Sequence, residues 1–148
     1  RAAKFILIIL LLIPHSAFAD EDVVFKKLIT TKTLKCQFGP GLSASWEHGK
    51  LKLHNDDFKA VIFFDSINMD KGTARMIANQ GSSDVDVIPG VMFITFIEQT
   101  GSGNLIFTSV FPDYAKGTED FISVTSRHIN LPGGPLPSQY HGTCKIWE

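Results

Sequence analysis

The sequence SQYHGTCKIW spans residues 138–147 and TLKCQF spans residues 33–38, and each holds one of the chain's two cysteines. Both stretches have the short, β-branched and aromatic composition of a β-strand. A disulfide requires Cα atoms within ~7 Å of each other, so a Cys36–Cys144 bond brings the first and last clear strands side by side or into facing layers. The first arrangement predicts a closed barrel. The second predicts a β-sandwich, which we keep as the alternative.

Between these stretches the chain alternates short β-rich runs with turn residues. The links are too short to hold a crossover helix between parallel strands, so sequential antiparallel pairing is favoured. We therefore predict an all-β fold, a closed or nearly closed antiparallel barrel of about 8–10 short strands. Residues 20–33 are the exception and suit a short helix or an edge strand. The predicted strands are 33–38, 42–46, 50–54, 59–66, 73–79, 84–88, 91–99, 104–111, 120–128 and 138–147.

Residues 1–19 have the features of a secretory signal peptide. Arg1 and Lys4 give a basic start, 5–13 is an unbroken apolar run, and 17–19 is a small-x-small cleavage pattern. A retained anchor is the alternative, but a spanning helix needs ~20 apolar residues. We expect export to a bacterial periplasm or the extracellular space. Residues 20–148 then form one β-barrel-like domain with no membrane anchor after cleavage.

The charge of the chain disfavours polyanionic partners. The formal net charge is −1, and loss of the two basic residues of the signal peptide makes it more negative. Nucleic-acid binding normally needs a clustered basic surface, whereas the basic residues here are scattered. We therefore expect no nucleic-acid partner. In an exported protein Cys36 and Cys144 are expected to oxidise to a disulfide.

Two central runs, 61–64 (VIFF) and 91–94 (VMFI), are apolar on both strand faces. An exposed sheet face should alternate with polar residues instead. Either the segment 23–29 covers the outer face, or that surface meets a second copy of the chain in a homodimer.

Motifs for catalysis or metal binding are weak. No G-x-S-x-G elbow frames a serine, and no histidine pair has the HExxH or HxH spacing. Asp84 and Asp86 would share a strand face that could hold calcium, but they lack the ligand loop of an EF-hand. We expect neither a metal nor another cofactor.

The most polar candidate site surrounds the Pro- and Gly-rich segment 131–137. Ser126-Arg127-His128 precedes this segment and Ser138-Gln139-Tyr140-His141 follows it. Pairing His128 with Ser138 would place Arg127 opposite Gln139, with the two histidines ~10 Å apart and thus too far apart for one metal. A hydrogen-bonding or anion-binding rim is the resulting hypothesis. A purely structural role at the sheet edge is the alternative. The candidate binding residues are Arg127, His128, Tyr140 and His141.

A disulfide-closed β scaffold without a catalytic motif favours a non-catalytic exported binding module. Its barrel mouth or rim loops would hold a small apolar ligand or a protein partner. The alternatives are a small hydrolase-like enzyme whose site is assembled only in the fold, and a structural protein of the cell envelope.

Overall fold

A computed structural model describes the backbone of residues 16–148 and the side chains from residue 22 onward. One helix precedes nine strands. The first residues of the predicted signal peptide, 1–15, lie outside the described range, and the helix begins within its last part. The elements are α1 (Ser16–Thr30), β1 (Leu34–Glu47), β2 (Lys50–Asp57), β3 (Val61–Asn68), β4 (Thr73–Ala78), β5 (Gly81–Pro89), β6 (Ile94–Gln99), β7 (Leu105–Tyr114), β8 (Phe121–Leu131) and β9 (Gly134–Ile146).

The strands form a closed antiparallel barrel of eight strands, with β2 as an additional ninth strand, as the sequence predicts. Neighbours follow chain order from β3 to β9, and β1 completes the ring by pairing with both β3 and β9. Closure leaves no unpaired edge within the ring, which removes a common route to aggregation. The alternative of a β-sandwich is excluded.

The first strand is longer than predicted. The sequence predicts two strands, 33–38 and 42–46, but the intervening Gly39-Pro40-Gly41 segment lies within β1, at a register shift in the pairing with β9. The N-terminal part of β1 pairs with β3, and its C-terminal part pairs with β2 beyond the ring. Gly41 permits this because a Cβ there would collide with the carbonyl oxygen of Gln139. β1 therefore serves both the barrel and a projecting β1–β2 hairpin.

The disulfide lies within the closing ladder. Cys36 and Cys144 are directly paired in the β1–β9 register, and both side chains are fully buried. Their inward direction matches that of Leu34 and Phe38 on the same strand, as strand alternation requires. The predicted Cys36–Cys144 bond is thus confirmed, and it links the strands that close the barrel. It is compatible with an oxidising compartment.

Inward-facing apolar side chains fill the middle of the barrel. Phe64 and Phe96 stack with ring centroids 3.9 Å apart, at an interplanar angle of 11°. This packed centre separates the two ends of the barrel. The fully buried members of the core are Leu28, Leu34, Cys36, Ile94, Val110, Phe121 and Cys144, with Phe38, Phe64, Ile67 and Phe96 almost as buried.

The helix packs against one end of the barrel rather than over its outer face. Leu28 on α1 is fully buried within the same core cluster as the inward strand residues. The chain leaving the helix is held by a hydrogen bond from the Ile67 amide, at the end of β3, to the Lys32 carbonyl. The hypothesis that 23–29 shields the outer sheet face is therefore wrong, because its buried side chain enters the interior. No helix in the described range is long and apolar enough to cross a membrane.

The two apolar runs are accommodated in different ways. In 61–64, Ile62 and Phe64 face the core, while Phe63 faces outward against Trp147, with ring centroids 5.9 Å apart. Residues 91–93 are not part of a strand, since β6 begins at Ile94 after a loop closed by the Gly90 amide donating to the Phe93 carbonyl. The second run is thus not a two-faced strand. The homodimer stays a prediction.

Candidate functional site

The end of the barrel opposite the helix is open and contains a pocket of about 460 Å³. We call this end the mouth. It is formed where β4, β6 and β8 end and where β3, β5 and β7 begin. The volume lies within the ~300–1,000 Å³ range of small-molecule sites. Its apolar lining includes Phe58, Ile62, Met76, Ala78, Ile106 and Ile129.

Arg127 is the cationic side chain that β8 directs into this pocket. It has the parity of Phe121, Ser123 and Thr125, which all face the interior and are fully buried. Its Nε is buried and has no hydrogen-bond partner. Among the side chains of residues 22–148, Arg127 takes part in no salt bridge. An arginine normally presents five donors, so Arg127 has unused donor capacity at the pocket wall.

An aromatic stack holds Arg127 in place. Its guanidinium carbon lies 4.7 Å from the ring centroid of Phe58, a cation–π contact. The Phe58 ring in turn stacks on Tyr140, with centroids 4.8 Å apart and an interplanar angle of 20°. A cation–π contact uses none of the N–H donors of a guanidinium, so these donors are not consumed by the contact with Phe58.

Tyr140 is anchored from the outer end of the stack. Its hydroxyl donates a 2.7 Å hydrogen bond to Oδ2 of Asp56. This bond, together with a hydrogen bond from the Asp57 amide, lowers the pKa of Asp56 from its ordinary value. Burial, and then the adjacent carboxylate, raise the pKa of the Tyr140 phenol. Around neutral pH the pair is therefore a neutral phenol donating to a carboxylate.

Glu98 is the acidic residue of the pocket wall. It shares the inward parity of Ile94 and Phe96 on β6. Its Oε1 accepts a 2.9 Å hydrogen bond from the Ser83 hydroxyl. The charged side chains of the mouth are therefore Glu98, Arg127 and Lys59, and Lys59 lies 3.5 Å from a carboxylate oxygen of Asp57.

The pocket floor also has polar groups. The Thr108 hydroxyl donates a 3.0 Å hydrogen bond to Oγ1 of Thr125, and both residues are buried. Thr125 lines the pocket directly. Ser123 lies further inside, with its Oγ buried and without a partner.

The structure separates the four predicted binding residues into two pairs. Arg127 and Tyr140 face inward and are brought together through Phe58. His128 and His141 are exposed on the outer face of β8 and β9, and His128 packs edge-on against Phe107 at 5.4 Å. The two histidines therefore do not belong to the pocket.

The predicted register between the last two strands is wrong by one residue. Arg127 pairs with Ser138 and His128 with Pro137. The predicted register treats 131–137 as a loop, whereas only Pro132 and Gly133 lie between the paired Leu131 and Gly134. A one-residue slip changes which side chains share a face. The observed register places Arg127 and Tyr140 on the same side of the sheet.

Sequence reasoning missed Glu98 and Phe58. Strand alternation in ITFIEQ, residues 94–99, could have placed Glu98 inward with Ile94 and Phe96, since a charge on an apolar strand face is unusual. Phe58 lies in a link between strands and gave no comparable pattern.

A second groove, of about 540 Å³, lies beside β4 and β5. Arg75 on its wall donates to both carboxylate oxygens of Asp65, at 2.9 and 2.6 Å. Its charge is thus already paired, unlike that of Arg127. The described residues contain no group of three His, Cys, Asp or Glu side chains arranged to hold a metal ion. Asp84 and Asp86 therefore have no third such side chain beside them in a metal-binding arrangement.

No protein-family model, curated protein or solved structure matches this chain.

Proposed function

We propose that this protein is a non-catalytic exported binding protein that holds a small, largely apolar molecule in the mouth of its barrel. The observation that carries the proposal is Arg127, which lines a pocket of about 460 Å³, takes part in no salt bridge among residues 22–148, and has a buried Nε without a partner. Leaving a buried donor without a partner costs about 1–3 kcal/mol, so the protein alone does not satisfy this guanidinium.

The surroundings support a preformed site. The Phe58–Tyr140 stack and the Tyr140–Asp56 hydrogen bond hold Arg127 before any ligand arrives. Side chains that are ordered in advance lose little conformational entropy when a ligand binds, which favours affinity. At the other end the helix and the packed core close the barrel, so a ligand would enter through the mouth.

The proposed location is a bacterial periplasm or the extracellular space. The predicted signal peptide supports export. The buried Cys36–Cys144 disulfide supports an oxidising compartment, because such bonds are rare where thiols are kept reduced.

A protein partner is the second candidate function, and the projecting β1–β2 hairpin favours it. One face of this hairpin is apolar and exposed, since Trp46 pairs with Leu51 and Ala44 with Leu53 outside the ring. Exposed apolar patches of this kind often contact other proteins. The two candidates use different surfaces and can be tested separately.

The test measures binding of 8-anilinonaphthalene-1-sulfonate, a fluorescent probe with an apolar body and an anionic group, to the oxidised protein. We expect the Ala78→Phe variant, which fills the pocket, to weaken probe binding by about tenfold or more, because binding requires burial of the probe. The control variant Leu51→Ser/Leu53→Ser alters only the exposed hairpin and should retain the wild-type affinity. Loss of binding in the hairpin variant with none in Ala78→Phe would overturn the proposal and assign the probe to the hairpin.

A further inference from the structure

We infer that the ligand of the mouth is a zwitterion with an apolar body, of the chemical class of the apolar α-amino acids. This inference rests on the proposed function and names the chemical class of its ligand. Three charged side chains line the mouth, and Lys59 is paired with Asp57. The other two, Glu98 and Arg127, carry opposite charges and form no salt bridge with each other.

Glu98, Ile106 and Arg127 occupy one rung of the barrel. Glu98 pairs directly with Ile106 in the β6–β7 ladder, and Ile106 pairs directly with Arg127 in the β7–β8 ladder. Directly paired residues share a face, and here that face is the pocket wall. Neighbouring strands lie about 4.8 Å apart, so the Cα atoms of Glu98 and Arg127 are roughly 9–10 Å apart. Ile106 separates them and contributes an apolar surface.

Each of the two charges has capacity for another partner. Neither Glu98 nor Arg127 takes part in any of the salt bridges formed by the side chains of residues 22–148. Glu98 accepts one hydrogen bond from Ser83, but a carboxylate can accept about four. The buried Nε–H of Arg127 donates to no acceptor.

Opposite charges on one rung select against ligands with a single charge. A carboxylate bound to Arg127 would lie near the carboxylate of Glu98, and an ammonium bound to Glu98 would lie near the guanidinium. Like charges brought close in a partly buried site repel each other. A molecule with both groups satisfies Arg127 and Glu98 together, through charge-assisted hydrogen bonds.

The remaining walls define the rest of the ligand. Ile62 and Met76 also line the pocket, and Ile129 lies beyond Arg127 on β8. Methionine adapts to different apolar shapes, which suits a site for a flexible aliphatic group. An apolar α-amino acid has both charged groups at one end and an aliphatic side chain that these apolar residues could contact.

The experiment uses calorimetric titration of the oxidised protein with three related probes. L-leucine carries both charges, 4-methylpentanoate lacks the ammonium group, and 3-methylbutylamine lacks the carboxylate. We expect L-leucine to bind about tenfold more tightly than either analogue, as loss of one charge-assisted hydrogen bond predicts. Equal binding of L-leucine and 4-methylpentanoate would overturn the inference and leave a site for simple anions.

Two variants test which protein side chain binds the ammonium group and which binds the carboxylate. Glu98→Gln should weaken the binding of L-leucine about tenfold without weakening that of 4-methylpentanoate. Arg127→Met should weaken the binding of both L-leucine and 4-methylpentanoate about tenfold, because both carry a carboxylate. Glu119→Gln and Arg75→Met, both outside the pocket, are the matched controls and should bind L-leucine like the wild type. Binding that is insensitive to Glu98→Gln would also contradict the inference. Circular dichroism and melting curves establish that each variant is folded.

The two proposals can fail separately. If none of the three probes binds, yet Ala78→Phe still abolishes binding of the sulfonate probe, then the zwitterion inference is wrong and the pocket remains a binding site. If the sulfonate probe is also insensitive to Ala78→Phe, both proposals are wrong.

Discussion

Arg127 and Phe58 contact each other across the mouth of the barrel, with the guanidinium carbon 4.7 Å from the ring centroid. Phe58 precedes β3 and Arg127 lies near the end of β8, so the contact joins parts of the chain that are distant in sequence. It holds a charged side chain at the pocket wall, where the protein itself leaves the Nε group unpaired. This combination distinguishes Arg127 from Arg75, whose charge is paired with Asp65 outside the barrel.

Replacement of Arg127 by methionine should leave stability nearly unchanged. The variant loses a cation–π contact worth about 0.5–1 kcal/mol, but it also removes a buried donor whose burial costs about 1–3 kcal/mol. We therefore expect the free energy of unfolding, measured by urea denaturation, to stay within about 1 kcal/mol of the wild type or to rise. A loss above about 3 kcal/mol would instead assign Arg127 to the scaffold.

Replacement of Tyr140 by phenylalanine should change how stability depends on pH. The hydrogen bond from Tyr140 holds the pKa of Asp56 below its ordinary value in the folded protein. Asp56 therefore stabilises the fold above its ordinary pKa, and this stabilisation is lost as the pH falls through the lowered folded pKa. We expect the melting temperature of Tyr140→Phe to lie below that of the wild type at pH 7, with the difference shrinking as the pH falls into the acid range.

Asp56→Asn provides the control for this pH dependence. In that background the Tyr140→Phe substitution should produce a difference in melting temperature that no longer varies across the acid range. The pH series should stay below the range where tyrosine ionises, because the raised pKa of Tyr140 adds a separate dependence at alkaline pH. A difference that stays constant from neutral to acid pH in the wild-type background would contradict the assignment.

Truncation of Leu28 to alanine should destabilise the whole domain. Leu28 is fully buried in the core although it lies on the helix, outside the sheet. Leucine-to-alanine changes in such positions cost about 2–5 kcal/mol. Val23→Ala is the matched control because Val23 is 68% exposed on the same helix. Thermal unfolding that is identical for both variants would show that the helix contributes nothing to the barrel.

Addition of a methyl group at Gly142 should weaken the closing ladder. A Cβ at this position would collide with the carbonyl oxygen of Gln37 on β1. Overpacking of this kind typically costs about 1–3 kcal/mol, so Gly142→Ala should have a clearly lower urea midpoint. Gly101→Ala is the control, since a Cβ there has no neighbour within 4 Å. An unchanged midpoint for Gly142→Ala would show that β1 and β9 can move apart at no cost.

The barrel could be predicted because most of the sequence features that indicate it are local, and the cysteine pair adds one long-range constraint. Strand alternation and short turns indicate antiparallel neighbours, and a Cys36–Cys144 bond indicates that the end strands meet. What alternation could not reveal is how β1 continues through Gly39 to Gly41. Glycine and proline usually mark turns, but here they accommodate a shift in register and the close approach of β9.

The site was predictable only in part. Arg127 and Tyr140 were identified from the polar residues that flank a Pro- and Gly-rich segment. Their companions His128 and His141 face outward, because the two-residue turn sets a register one residue away from that assumed. Glu98 comes from another hairpin, and its position relative to Arg127 depends on two successive ladders through Ile106. Such a relationship depends on registers that a single sequence does not fix.

The β1–β9 ladder also governs how the chain reaches its native state. It pairs Cys36 with Cys144 across 108 positions of sequence, whereas most other ladders join consecutive strands. Contacts between such distant segments slow folding, because the entropy of closing the long loop is lost before the contacts stabilise the chain. An oxidised chain starts refolding with this loop already closed. Refolding of the oxidised protein should therefore be faster than that of the reduced protein. When the chain folds for the first time, the rate of β1–β9 pairing then depends on whether the disulfide forms before or after the strands pair.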